Sequence, residues 1–307
     1  MKPRLLLHRR SRYRHMLLLL PLALMPATEV AFSQTTASDA KKFEAGVDTS
    51  ALALGEHQQF KNKSAQYHRR LAEFVAGNMM FVVLHEMAHA VISEMGIPIL
   101  AREEDVADSF AATRLIKLQS GISDRVLTEA AQGFFTSNRR DKKEGNAILY
   151  YDDHGLDLVR AYRIVCLMVG SDKDKYKRLA AEAKLPEDQW ADCVGDYGRT
   201  ARAWDVVLKP HFRSPDQPRT KIDVIYRHAK DELEIHARAF RSIQLLEIIA
   251  GHAADQFAWS APFTLEMQSC GFINAQWVAK TRTLTLCYEL AADFADLYNS
   301  YGTGDIP

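Results

Sequence analysis

The chain has 307 residues, of which 47% are hydrophobic, and its 39 Lys and Arg balance 39 Asp and Glu. The balanced charge gives no basic surface of the kind that nucleic acid requires, and beyond the N-terminus no segment is predicted to cross a bilayer. A chain of this size can bury one large core or two modest ones.

The N-terminus has the layout of a signal peptide. Six Lys and Arg residues and no acid lie in residues 1–15, followed by an apolar run over residues 16–27. Ala31 and Ser33 frame a cleavage site before Gln34. An uncleaved anchor is the alternative, but the run is shorter than the roughly 20 residues that span a bilayer. The mature protein, with 33 Lys and Arg against 38 Asp and Glu, is expected to be periplasmic or secreted without a stable membrane anchor.

The next segments divide into a leader and a helical region. Residues 34–60 are rich in Ser, Thr, Ala and Gly, which predicts a mobile leader. One domain is then expected over residues 61–307. Its first predicted helices span about residues 64–76, 79–95 and 102–119. Gly77 and Asn78 are expected to interrupt the first two helices, and Gly96 is expected to end the second.

The rest of the chain combines helices with a few late strands. Residues 123–212 look largely helical, with predicted loops at 137–145, at 170–175 and at Pro186. Alternation predicts strands at residues 222–226, 263–269 and 283–287. Helices are expected at residues 232–257 and 288–298. The predicted fold class is α+β, mostly helical, with a small antiparallel sheet in the C-terminal part from about residue 220.

The four cysteines indicate disulfides. An even number in an oxidising compartment favours two bonds over reactive thiols. Three pairings are possible, and we favour the two between cysteines near in sequence, Cys166 with Cys193 and Cys270 with Cys287. No pair has the CxxC spacing of a structural zinc site, so any metal must be held by His and carboxylates.

Residues 85–89, His-Glu-Met-Ala-His, form an HExxH pattern inside a predicted helix. Residues four apart lie one turn above each other, so both imidazoles of His85 and His89 can bind one ion. Glu86 lies beside them, where it can act as a catalytic base. The opposite face carries an apolar stripe that would bury the helix. A chance occurrence of the pattern is the alternative, so a second signal is needed.

An acidic cluster in the following helix supplies that signal. A catalytic zinc takes three protein ligands and one water. Glu104 is followed one turn later by Asp108, and we assign Glu104 as the third ligand and Asp108 as the acceptor of the outer N–H of His85. Glu103 is the reserve candidate. The alternative is a solvated first turn, favoured by the helix dipole.

Two resemblances extend this interpretation. HExxH followed by Glu104-x-x-Ala-Asp resembles the gluzincin metallopeptidases, in which the Glu is a zinc ligand and the Asp supports a histidine. Residues 81–89, 102–108, 153–157 and 287–290, with Cys166, resemble a family of exported bacterial metallopeptidases known mainly as a domain of unknown function. The resemblance covers most of the mature chain and implies a zincin-like catalytic domain.

The resemblance also implies a donor for the oxygen of the scissile carbonyl, which is a Tyr or a His in such enzymes. Tyr150, Tyr151 and His154 lie in a segment that resembles the third motif of the family, and His154 is our choice. A surface histidine in a loop is the alternative.

Residues 283–287 form either an edge strand that holds an extended peptide or, as we favour, a structural hairpin.

The expected function is zinc-dependent hydrolysis of peptide bonds, with Zn²⁺ as the cofactor and a peptide or protein as the substrate. Glu86 would accept the proton of the attacking water. Two other classes remain open. One is a zinc amidase that acts on cell-wall peptides or other amides, and the other is an exported binding protein with a vestigial metal site.

Overall fold

A computed structural model of the chain describes residues 37–302. The helices are α1 (Ala37–Glu56), α2 (Ala65–Met95), α3 (Glu103–Leu118), α4 (Gly121–Glu144), α5 (Asp157–Ser171), α6 (Lys173–Glu182), α7 (Trp190–Leu208), α8 (Glu234–Ile243), α9 (Leu245–Gln256) and α10 (Tyr288–Tyr301). The strands are β1 (Ile222–Tyr226), β2 (Phe263–Gln268), β3 (Ala275–Val278) and β4 (Thr283–Cys287). The predicted mostly helical α+β class is confirmed. The predicted signal peptide, residues 1–33, lies outside the described residues.

Helix α2 is the central helix of the described fold. It packs against α1, α3, α4 and α10, and most of its residues from Leu71 onwards are buried. The side chain of Ser64 caps its first turn by accepting the Tyr67 N–H, and Gly96 ends it in the left-handed region, at φ 60°. The apolar face therefore lies in the core, as its sequence pattern predicts.

The predicted interruption of α2 at Gly77 and Asn78 is wrong. At Gly77 a Cβ atom would lie 2.6 Å from the Cβ of Glu129, so glycine allows α4 to approach closely. The Asn78 amide donates to the carbonyl oxygens of Phe74 and Glu129, at 2.9 and 3.0 Å. Gly77 and Asn78 therefore support the packing of α2 against α4 and do not end a helix. Helix α2 is continuous from Ala65 to Met95.

Helix α2 is also long and apolar enough, by length and composition, to cross a membrane, although no such segment was predicted. In the structure 83% of its most apolar window is buried within the fold. The hydrophobic core therefore accounts for its composition.

Helix α1 occupies most of the segment that was predicted to be a mobile leader. Phe43, Val47, Ala51 and Leu54 recur every three or four residues in α1, and all four are buried. Because they form one apolar stripe, α1 packs against α2 and α8. The high content of small and polar residues concealed this periodicity.

The sheet is mixed and not antiparallel as predicted. Its strand order is β1-β2-β4-β3, in which β1 with β2 and β2 with β4 are parallel and only β3 with β4 is antiparallel. Helices α8 and α9 connect β1 to β2, and a helical crossover of this length brings the chain back in the same direction. Strand β3 was not predicted. Strand β4 lies between β2 and β3, so its alternative role as an edge strand is wrong.

Local deviations from the predicted helices have identifiable causes. Helix α4 continues through the predicted loop at residues 137–145 and ends at Gly145, whose φ of 71° suits glycine. The predicted helix at residues 232–257 is broken at Gln244, which has a left-handed conformation.

Both favoured disulfides are present. Cys166 in α5 is bonded to Cys193 in α7, and Cys270 is bonded to Cys287 at the end of β4. The second bond joins the segment between β2 and β3 to the start of α10, and so fixes the loop that leads into the edge strand β3.

Candidate metal centre

His85 and His89 lie one turn apart on α2 and face the start of α3. Their Nε2 atoms are 3.2 Å apart, and their ring centroids are 5.0 Å apart. His85 is buried, with 4% of its surface exposed, because the surrounding face of α2 is covered by α3, α4 and the sheet. The helical spacing alone is sufficient to bring the two imidazoles together.

The start of α3 brings a carboxylate to both histidines. The chain turns after Gly96, and three acidic residues occupy the first turn of α3, where the helix dipole stabilises negative charge. Glu104 Oε2 lies 3.0 Å from His85 Nε2, and Glu104 Oε1 lies 3.5 Å from His89 Nε2. Glu103, the reserve candidate, instead accepts the His89 Nδ1–H at 2.8 Å. The structure thus brings together His85, His89 and Glu104.

Asp108 accepts a hydrogen bond from the other nitrogen of His85, Nδ1, at 2.8 Å. Arg160 of α5 donates to both oxygens of Asp108, at 2.7 and 2.8 Å, and its guanidinium lies 4.1 Å from the centroid of the Phe134 ring. Burial raises the pKa of Asp108, but the hydrogen bonds from Arg160 and His85 outweigh it and lower the pKa to about 2. Asp108 is therefore a fixed anion that orients the ring of His85.

The sequence did not identify Arg160 as part of the site. Its only signal is an arginine on the otherwise apolar inner face of α5, where an unpaired charge would be costly. Nothing in that signal identifies Asp108, 52 residues earlier, as its partner.

Glu86 lies beside the two histidines and is 8% exposed. Its Oε2 accepts the backbone N–H of Trp277 in the edge strand β3, at 3.0 Å. The Trp277 indole N–H donates to Ser93 Oγ at 2.9 Å, which holds β3 against α2. Burial raises the pKa of Glu86, and the nearby positive charges of His85 and His89 only partly oppose that rise.

His154 reaches the same cluster from the loop at residues 145–156. Its Nε2 lies 2.9 Å from Glu104 Oε2, and its ring stacks on that of His85 with centroids 6.0 Å apart. Half of the His154 side chain is exposed. The other two candidates in this loop, Tyr150 and Tyr151, are 79% and 84% exposed at the surface.

The cluster as a whole attracts positive charge. Burial lowers the pKa of His85 and of His89, but hydrogen bonds to carboxylates outweigh it, so that both are raised, that of His89 to about 9. Burial raises the pKa of Glu104, but hydrogen bonds from His154, His85 and His89 lower it well below its usual range. Nitrogen and oxygen donors that converge in this way are suited to a divalent cation.

A cavity of about 260 Å³ opens beside these groups. His85, Glu86 and His154 line it, and the rest of its lining comes from α2, α4, α5 and α10 and from residues 274–275 at the start of β3. The larger apolar and aromatic members of that lining are Phe81, Val82, Phe134, Leu290, Phe294 and Leu297. Arg140 and Asp293 form an ion pair at 2.8 Å within the same wall. A space beside the cluster that combines apolar surface with several polar and charged groups is suited to a bound ligand.

Comparison with known proteins identifies a family for this chain but no individual similar protein. No curated protein and no solved structure shows significant similarity to the chain. The model of the family DUF4344, described as "Putative metallopeptidase", matches residues 49–208, which include every candidate metal ligand named above. Because the match covers more than half of the 307 residues, the chain belongs to this metallopeptidase family.

Proposed function

We propose that the protein is an exported zinc-dependent peptidase in which His85, His89 and Glu104 hold the metal and Glu86 is the general base. The observation that carries the proposal is the convergence of three donors from two helices. Their separations are 3.0, 3.2 and 3.5 Å. Two ligands of a tetrahedral zinc, each 2.0–2.1 Å from the ion, lie about 3.3 Å apart. The donor set therefore fits zinc in both chemistry and spacing.

Zinc bound here supplies a Lewis acid that polarises a carbonyl oxygen and lowers the pKa of water toward neutrality. The protein supplies the orientation of the ligands. Asp108 accepts the Nδ1–H of His85, which leaves the Nε2 lone pair for the ion, and Arg160 fixes Asp108 in turn. Glu103 accepts the Nδ1–H of His89 and serves the second imidazole in the same way.

Glu86 is in position to move the proton. The Trp277 N–H holds its carboxylate beside both histidines, on the wall of the cavity that would receive the substrate. Glu86 takes a proton from the attacking water and passes it to the leaving amine. His154 Nε2, directed at the same cluster, can donate a hydrogen bond to the carbonyl oxygen as negative charge develops on it.

The substrate class follows from the family and from the cavity. A metallopeptidase acts on peptides or proteins. Aromatic and aliphatic walls next to Glu86 favour a bulky apolar side chain beside the scissile bond. The two disulfides favour an oxidising compartment, which agrees with a periplasmic or secreted location.

The test compares zinc content and peptide hydrolysis in the purified mature protein. Glu86→Gln is expected to keep zinc and to lose hydrolysis by at least about a hundredfold, the lower range for a general base. His89→Ala is expected to lose both. Glu73→Gln, on the same helix but paired with Arg69 and Arg70, is the matched control and should change neither.

Retained turnover in Glu86→Gln would remove the mechanism. Hydrolysis of cell-wall amides in place of peptide bonds would favour the amidase alternative, with the same residues in the same roles. Stable zinc binding without hydrolysis of either substrate class would favour the binding protein.

A further inference from the structure

A fourth donor lies at the centre in addition to the three proposed ligands. The ligand atoms of His85, Glu104 and His154 all lie within 4.8 Å of one another, and His154 Nε2 is 2.9 Å from Glu104 Oε2. We infer that His154 is a fourth, exchangeable ligand, which occupies the last coordination position in the resting protein and is displaced by the substrate. This inference rests on the proposed zinc site and adds a resting state to it.

The four donors are held in different ways. His85, His89 and Glu104 lie on two packed helices, and Asp108 and Glu103 fix the outer nitrogens of both histidines. His154 lies on the loop at residues 145–156, and half of its side chain is exposed. Its Nδ1 is 3.6 Å from Asp152 Oδ1, a carboxylate that is itself about half exposed.

This difference makes His154 the one donor of the four that can leave at low cost. The Asp152 carboxylate accepts the His154 backbone N–H at 2.9 Å, which shapes the turn and directs the ring inward. No described helix or strand lies between residues 145 and 156, so the ring can move without disturbing a packed element.

The number of ligands decides what the site can do. A zinc site with four protein ligands is closed and structural, whereas a catalytic site keeps one position for solvent or substrate. With His154 bound, the site is protected and inactive. With His154 released, three ligands remain, and the imidazole stays near the vacated position, where it can serve the carbonyl oxygen.

Linkage turns this inference into a quantitative expectation. Let K be the ratio of the closed state, with His154 bound to the ion, to the open state, with His154 released. Closure then increases the zinc affinity by a factor of 1 + K. A small molecule that needs the vacated position binds more weakly by the same 1 + K. Removal of the imidazole should therefore weaken zinc binding and strengthen binding of that small molecule by equal factors.

The experiment measures both affinities in the full mature protein. Zinc affinity is measured by competition with a chelator, and acetohydroxamate affinity is measured by calorimetry on the zinc-loaded protein. His154→Ala is expected to bind zinc roughly ten- to a hundredfold more weakly, a range known for lost support of a metal ligand. It should bind acetohydroxamate more tightly by the same factor. His154→Gln repeats the test with a bulkier side chain.

Tyr151→Ala is the matched control, because it removes an exposed ring from the same loop, and it should change neither affinity. Unchanged zinc affinity in His154→Ala, together with loss of zinc in His85→Ala, would overturn the inference and leave the proposed function intact. Weaker binding of both zinc and acetohydroxamate would also overturn it, since that result indicates a structural role. A wild-type protein that does not bind zinc would overturn both proposals.

Discussion

Glu129→Gln is expected to remove a large pH dependence of stability. Glu129 lies on α4 against α2 and is 3% exposed. Its Oε1 is 3.2 Å from Arg70 Nη1, whereas its Oε2 accepts no hydrogen bond within the described part of the chain. Burial and the neighbouring charge of Glu73 raise the pKa of Glu129 to about 7, and the positive charges of Arg70 and Arg125 oppose that rise.

The magnitude follows from the two pKa values of this carboxyl. Between its ordinary pKa of 4.5 and the folded value of about 7, the native protein keeps a proton that the unfolded chain has lost. Stability therefore falls as the pH rises through this window, and the loss is complete above it. A shift of about 2.5 units corresponds to about 3 kcal/mol. Glutamine does not ionise, so the variant should not show this loss.

Urea unfolding at about pH 5 and about pH 8 measures the effect. The free energy of unfolding of Glu129→Gln, relative to wild type, should rise by about 2 to 3 kcal/mol between these two conditions. Other groups titrate in both proteins and cancel in the comparison. Glu187→Gln, an exposed position, is the control and should show no such change. A difference between Glu129→Gln and wild type that does not change with pH would refute the reasoning.

Two further predictions test how the centre is supported. Asp108→Asn should weaken zinc binding by roughly ten- to a hundredfold, and it should lower the free energy of unfolding by about 3 kcal/mol, because the Arg160 guanidinium, with 13% of its side chain exposed, would lose the carboxylate that pairs with it. Retention of both properties would contradict the role of this pair. Gly133→Ala should destabilise the protein by about 1 to 3 kcal/mol, because the new Cβ would lie 1.9 Å from Asn78 Oδ1. Gly121→Ala, where nothing lies within 4 Å, is the control, and equal effects at the two positions would argue against tight packing of α4 on α2.

Helical spacing identified the residues of the centre that are close in sequence, whereas His154 was chosen from the resemblance to a known family. His85 and His89 are one helical turn apart, and Glu104 lies in the first turn of the next helix, after the stop at Gly96. These positions were the basis of the prediction that the three side chains share one ion, and in the structure Glu104 lies 3.0 Å from His85 and 3.5 Å from His89. For the same reason the sequence-near disulfides and three of the four strands were predicted correctly.

Most contacts between residues that are far apart in the chain could not be predicted from the sequence. Arg160 contacts Asp108 across 52 residues, and Trp277 contacts Glu86 across 191. The strand directions failed for a related reason, since alternation predicts a strand but not its partner. Helix α1 was missed because Phe43, Val47 and Leu54 lie among small and polar residues, and their apolar stripe is recognisable only from its burial against α2 and α8.

The hydrogen bond from the Trp277 N–H to Glu86 joins two distant parts of the chain in one candidate site. The proposed metal ligands lie within residues 49–208, the part that the family model matches, whereas the Trp277 N–H that holds Glu86, the proposed base, comes from a strand well beyond it. Changes in the edge strand β3 can therefore alter the orientation of Glu86 without touching any proposed metal ligand. Metal content alone therefore does not report whether the carboxylate of Glu86 is correctly held.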